Sequence, residues 1–331
     1  MTEYFWAFTR AFIVTVIFMP TVIKFLKQSK EQAVIRKLGP DHQSKAGTPS
    51  MGGALFIAAA SLSALIGSVA YSGKIGFVMV LIPILAVVAY AIIGGIDDAL
   101  KMIHHADDGF RFIPKLLAQT LCAVVIMIIM WIMQIPLILN IPFIGVFNLG
   151  IFYFIFLWFW LVGWSNATNL TDGLDGLLTG TSLIVYLVYT WIALGVHNHI
   201  IVIFNASIIG ALVGFLLFNK PKAKIFMGDT GSLALGAGLA IESIVLGIPF
   251  SLLWFGLIFV IETLSVVIQT IGYHFWKKRI FPMAPIHHSF EKFGWNEWQI
   301  DALFWIVTAI IGIIGICLLY TSPSPRDRSL S

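Results

Sequence analysis

Ile151-Phe-Tyr-Phe-Ile-Phe-Leu-Trp-Phe-Trp-Leu161 leads into Asn166-Ala-Thr-Asn-Leu-Thr-Asp-Gly-Leu-Asp-Gly176, and a second apolar run opens at Leu183. Two carboxylates (Asp172, Asp175), two amides (Asn166, Asn169), two threonines and two glycines thus form a short polar island between hydrophobic spans. Ionisable groups beside hydrocarbon are costly, so their concentration marks a functional site by default. The fold then has to be a membrane fold that brings other polar islands to this one.

The composition agrees. Of 331 residues, 59% are hydrophobic and only 11% charged, with mean hydropathy +0.94. A soluble domain carries about 25% charged residues. Cys122 and Cys317 both lie in apolar runs, which excludes a disulfide framework and leaves buried, inert thiols. The run after Met1 lacks a small-residue cleavage site and reads as a first span, not a signal peptide.

Apolar runs fall at 5–26, 52–72, 76–96, 113–133, 147–165, 180–196, 199–218, 232–248, 250–274 and 300–320. About 20 residues cross the hydrocarbon, so the expectation is an all-α integral membrane protein of about ten transmembrane helices. The loops after odd-numbered spans, with their flanks, hold sixteen of the twenty basic residues: Lys24, Lys27, Lys30, Arg36, Lys37, Lys45, Lys101, Arg111, Lys115, Lys220, Lys222, Lys224, Lys277, Lys278, Arg279 and Lys292. The positive-inside rule makes that side cytoplasmic and puts both termini outside. Asp97, Asp98, Asp172, Asp175, Asp229, His287 and His288 all fall on the same side, so one face carries the chemistry. Residues 1–320 read as a single polytopic domain. Residues 321–331, Thr-Ser-Pro-Ser-Pro-Arg-Asp-Arg-Ser-Leu-Ser, change composition abruptly and read as a polar tail, disordered or not native to the gene.

Four further islands share this face. Gly95-Ile-Asp-Asp-Ala-Leu-Lys101 sets adjacent carboxylates one turn from a lysine that can neutralise one of them or grip a phosphate; its bland alternative is a solvated helix end. Phe226-Met-Gly-Asp-Thr-Gly-Ser232, preceded by Asn219-Lys-Pro-Lys-Ala-Lys224, offers N–H groups and hydroxyls to an anion and Asp229 to a metal; alone it could be an N-cap. Pro282-Met-Ala-Pro-Ile-His-His-Ser-Phe-Glu291 pairs two histidines, read as phosphate contacts rather than zinc ligands because no cysteine shares the face. His104 and His105 have no such context. Lys45-Ala-Gly-Thr-Pro-Ser-Met-Gly-Gly53 could cradle a phosphate without the order of a nucleotide P-loop. Aspartates, lysines and Gly-rich turns are the materials for a divalent ion and a diphosphate. The residues alone therefore point to metal-dependent phosphoryl transfer at the cytoplasmic leaflet.

KAGTPSMGG, GGIDDALK, NATNLTDGLDGL, FMGDTGSLALG and MAPIHHSFE, in this order, resemble the phospho-N-acetylmuramoyl-pentapeptide-transferase family of the polyprenyl-phosphate N-acetylhexosamine-1-phosphate transferase superfamily. The resemblance runs to about residue 320. It implies ten spans, a cytoplasmic active site in the bacterial plasma membrane, Mg²⁺ and homodimers. The implied partners are UDP-MurNAc-pentapeptide and undecaprenyl phosphate, with lipid I and UMP as products in peptidoglycan synthesis; no nucleic acid is expected. It also implies roles. Asp97 and Asp98 match paired aspartates acting on the lipid phosphate, Asp229 the magnesium ligand, and His287 and His288 the histidine motif. Lys45, Thr48, Lys101, Lys115, Asn169, Asp172, Asp175, Asn219, Phe226, Gly228 and Gln269 match substrate-binding positions, Phe226 and Gly228 towards uracil. Ser289 stands where the family usually has a third histidine, whose role is either dispensable or taken by the serine. The nearest alternative transfers GlcNAc-1-phosphate from UDP-GlcNAc to undecaprenyl phosphate. A transporter using Glu242 and Glu262 as a proton relay is the alternative from another class.

Overall fold

The computed structural model describes residues 2–28, 47–104, 112–135, 137–141 and 144–321. Within them the chain is built of α1 (Thr2–Gln28), α2 (Gly53–His104), α3 (Phe112–Ile132), β1 (Ile138–Ile141), β2 (Gly145–Asn148), α4 (Tyr153–Thr171), α5 (Leu177–Gly195), α6 (His199–Asn219), α7 (Gly228–Val245), α8 (Ser251–Phe255), α9 (Leu257–Trp276), α10 (His287–Lys292) and α11 (Glu297–Thr321). Among the described residues, eight helices are long and apolar enough to cross a membrane. The longest, α2, is broken at Ser72 and Gly73, where the backbone leaves helical geometry (Gly73 φ +58°). That break separates the two runs expected at 52–72 and 76–96.

The helices sort by how they are buried. A lipid-facing helix needs one packed stripe; a helix buried all round must be the centre. In α1 the buried residues Ala7, Ala11, Thr15 and Met19 recur every fourth position and face α6. In α6 and α7 burial is nearly continuous, so these two helices form the middle of the bundle. α2 lies along both, α4 packs on α7, α5 on α6, and α11 on α5. Small residues permit the closeness: α7 reads Gly228-Asp-Thr-Gly-Ser-Leu-Ala-Leu-Gly-Ala-Gly238, the composition that lets membrane helices approach backbone to backbone.

Three boundaries differ from expectation. The helix expected to end at 165 runs to Thr171, so Asn166 and Asn169 lie in the last turns of α4 and only Asp172–Gly176 form a turn. The helix expected from 232 starts at Gly228, which makes Asp229 and Thr230 its first turn. The segment between the runs expected at 113–133 and 147–165, which no element was expected to fill, contains an antiparallel hairpin with Ile138 opposite Asn148 and Ile141 opposite Gly145. Four-residue strands carry too little periodicity to be told from any apolar loop. Residue 321 closes α11, and the rest of the tail lies outside the described residues.

Candidate active site

The site begins where α2 meets the start of α7. At Gly94 an added Cβ would lie 2.1 Å from the Asp229 carbonyl oxygen, so only glycine lets the helices touch there. One turn later Asp98 turns into α7. Its Oδ1 accepts the Asp229 N–H at 3.1 Å; its Oδ2 accepts the Thr230 N–H at 3.0 Å and the Thr230 hydroxyl at 2.7 Å. Asp98 is thus the N-terminal cap of α7, supplied from another helix. The N–H groups expected to await an external anion already hold one. Gly228, at φ +75°, leaves the room: a Cβ there would stand 2.5 Å from Asp98 Oδ2.

Asp97, its neighbour, turns the other way. Its Oδ2 lies 2.7 Å from Lys101 Nζ and 3.4 Å from Lys115 Nζ. The same ammonium groups lie 3.0 and 3.1 Å from Asp229 Oδ2. Asn169, brought by α4, donates to Asp229 Oδ1 at 2.8 Å and to Ser232 Oγ at 2.9 Å. Five sequence-selected residues (Asp97, Lys101, Lys115, Asn169, Asp229) therefore form one network, with Asp98 underneath it. The Asp97 side chain is 3% exposed, those of Asp229 and Lys115 14% and 17%, and that of Lys101 30%, so the network opens on the lysine side. Asp97 and Asp229 face the two ammonium groups, and the Asp98 carboxylate lies behind them against α7. Fully ionised, the three carboxylates leave one negative charge uncompensated, and the oxygens that converge are of the hard kind a divalent ion takes. Asp229 and Asp97 thus fit such an ion.

In the glycine-rich stretch before α2, the backbone of both closing glycines is engaged in packing. The N–H groups of Gly52 and Gly53 go to the carbonyls of Phe226 and Met227, each at 2.9 Å, and Phe226 N–H goes to Pro49 O at 2.8 Å. This pairing sets Thr48 and Phe226, both half-buried, beside the α7 start. Lys45 lies outside the described residues.

Asp175 and Asn219 hold the loop between α6 and α7. Asp175 Oδ2 accepts the Ala223 N–H at 2.8 Å; the Asn219 amide donates to Ile225 O at 3.1 Å and accepts from Thr179 Oγ1 at 2.6 Å. Asp172 is half-buried in the turn before Gly173. Gln269 accepts the Ile280 and Phe281 N–H groups at 3.0 and 2.9 Å, a loop-holding role that a substrate-binding reading did not foresee.

In the histidine loop, His287 is fully buried, with Nδ1 3.0 Å from Glu262 Oε2. His288 Nδ1 lies 2.5 Å from Glu291 Oε2. Burial pushes the His288 imidazole below its usual range, against the opposing pull of Glu291. The Ser289 hydroxyl, at the third position, accepts from Met283 N at 3.1 Å and donates to Met283 O at 2.6 Å. It ties the loop to itself. Sequence reasoning gave Glu262 a place only in the transporter alternative and did not foresee that Thr230 meets Asp98. A lone acid in the apolar run of α9 was the one signal for Glu262; its partner was not readable.

Known proteins supply the remaining comparison. The family described as Glycosyl transferase family 4 matches residues 77–247, and the phospho-N-acetylmuramoyl-pentapeptide-transferase signature 1 matches residues 45–57. A phospho-N-acetylmuramoyl-pentapeptide-transferase of Leuconostoc mesenteroides subsp. mesenteroides is 99% identical over 322 residues, covering 97% of this chain and all of that protein. The chain belongs to this transferase family. Transferases of the same name from Leuconostoc citreum (76% identical, 96% of this chain and 99% of that one) and Lactobacillus johnsonii (47%, 94% and 97%) are similar along nearly their full lengths. The signature covers the stretch whose glycines pair with Phe226 and Met227, and the broader match ends two residues past α7.

Proposed function

We propose that the protein transfers phospho-MurNAc-pentapeptide from UDP-MurNAc-pentapeptide to undecaprenyl phosphate, releasing UMP and forming lipid I. Family membership carries the reaction. The observation that carries the site is the sharing of Lys101 and Lys115 between Asp97 and Asp229. Asp229, with Asp97 beside it, would hold Mg²⁺, which supplies charge neutralisation on the diphosphate oxygens.

The lipid phosphate attacks the donor's β-phosphorus directly. One phosphoanhydride bond forms, the one to UMP breaks, and UMP takes the electron pair. A phosphate monoester is largely dianionic at neutral pH, its second pKa being about 6, so the attack hardly needs a base. Lys101 and Lys115 neutralise phosphate charge and Asn169 holds Asp229 in place; positioning and electrostatics supply the catalysis. Asp97 has the better orientation for the reacting phosphates, because both Asp98 oxygens are engaged by α7. Thr48, Phe226, Gly228 and Asp172 border the donor's place, with His287 and His288 behind the turn. Lys45 completes the basic rim on the resemblance alone.

The break in α2 makes two spans of one, and α7 counts as a further span although it is not among the eight. With these the chain makes ten crossings of the bacterial plasma membrane. The basic-residue bias supports a cytoplasmic site and outer termini, and the resemblance supports a homodimer.

Purified protein, undecaprenyl phosphate and Mg²⁺ test the reading when labelled UDP-MurNAc-pentapeptide and UDP-GlcNAc are offered separately. Lipid I from the first donor alone, lost in Asp229→Ala, is the expected result. Product only from UDP-GlcNAc would move the chain to the neighbouring branch, and no product from either would overturn the transferase reading.

A further inference from the structure

A carboxylate in a membrane helix has to be paired or protonated, because unpaired burial is prohibitively costly. In α9 that carboxylate is Glu262, fully buried, and its partner is the equally buried His287, with Nδ1 3.0 Å from Oε2. The histidine comes from α10, and its loop is fixed at both ends. Gln269 of α9 holds Ile280 and Phe281, and Ser289 holds Met283. A ring so placed donates Nδ1–H to the carboxylate and directs its other nitrogen away from it.

That other nitrogen points at the donor turn. Nε2 has no hydrogen-bond partner among the described residues, and a Cβ built on Gly173 would stand 2.2 Å from it. Gly173 lies between Asp172 and Asp175 and faces solvent on its far side. Glu262, His287 and the 172–176 turn therefore make one line of contact from the membrane interior to the site.

We infer that Glu262 is a positioning residue for the nucleotide-sugar donor: it orients His287, and His287 sets the turn that carries Asp172 and Asp175. The inference rests on the donor-binding reading of this face. It does not assign Glu262 to the chemistry at Asp229, and it does not invoke a proton relay.

Donor and acceptor kinetics of Glu262→Leu, Glu262→Gln and Gly173→Ala test it. Leucine fits a membrane helix, but it leaves the His287 Nδ1–H buried without its acceptor, so the thermal midpoint is followed beside the kinetics. Loss of one oriented hydrogen bond at the ring should raise donor KM about tenfold, with kcat and acceptor KM within about threefold. Glutamine keeps an acceptor for Nδ1–H and should restore donor KM to within about threefold of wild type. Gly173→Ala should raise donor KM in the same way with Glu262 intact, so the test survives if Glu262→Leu fails to fold. Nitrogen-15 NMR of His287 should show Nδ1–H in the wild type and in Glu262→Gln, and a mixture of tautomers in Glu262→Leu. If leucine and glutamine behave alike, or if kcat falls with donor KM unchanged, the inference is overturned while wild-type turnover leaves the transferase reading standing. A wild type inactive with either donor overturns the transferase reading itself.

Discussion

Two carboxylate assemblies serve this face, and they partner their acids differently. At the α2–α7 seam, Asp97 and Asp229 meet Lys101 and Lys115 with Asp98 behind them, and the acids outnumber the cations. In the histidine loop each acid has one imidazole: Glu262 with His287, Glu291 with His288. The surplus at the seam is an attraction for a cation, held open towards solvent. The one-to-one pairs are closed arrangements that fix geometry. On the proposed function, chemistry belongs to the assembly with surplus acid and alignment to the paired one.

The largest effect that would break this contrast is at the seam. Asp229→Ala should lower kcat by at least about a hundredfold, and chelation of divalent ions should abolish lipid-product formation in the wild type. Either activity surviving would remove the cation from the seam. Next, the two neighbouring aspartates should part company. Asp97→Ala should cost activity by a similar factor with little change in thermal midpoint. Asp98→Ala removes a helix cap and should destabilise the fold by about 1–2 kcal/mol, seen as a lower midpoint in detergent. Equal thermal effects would mean that both are structural.

Gly94→Ala should follow, since its methyl would meet the Asp229 carbonyl at 2.1 Å; overpacking of this kind costs about 1–3 kcal/mol, and activity should drop with it. The smallest effect lies in the histidine assembly. Burial holds His288 below the value of 6.5 it has when unfolded. As pH falls through that value the unfolded chain takes up a proton that the folded protein refuses, so stability decreases on acidification and is retained above it. A thermal midpoint followed from about pH 7.5 to 5.5 should therefore decline less in His288→Asn than in the wild type.

The helical bundle was largely legible in the sequence, because spans announce themselves by length and apolarity. Asp97 and Lys101 were legible as a pair, being four apart on one helix. The division of labour between Asp97 and Asp98 was not. Adjacent residues look equivalent in a sequence, and only the neighbour that each side of the helix meets distinguishes them. The same holds for Gly52 and Gly53, whose composition suggested a phosphate cradle until their N–H groups were found on Phe226 and Met227. Lys115 and Asn169 reach Asp229 from 114 and 60 residues away, contacts that no local pattern encodes. The resemblance named both residues without saying what they touch.

The cap that Asp98 gives to α7 makes chain length as strict a requirement as chemistry. Successive residues stand about 100° apart around a helix, and that angle alone aims one aspartate at the lysines and the next at Thr230. Delete one residue between Gly94 and Asp97, and the second aspartate rotates into the place of the first while Ala99 arrives where the cap should be. Every residue type needed would still be present in the gene. A library that varies Ile96, Ala99 and Leu100 while keeping Gly94, Asp97, Asp98 and Lys101 should yield working enzymes; one that adds or removes a single codon there should yield none.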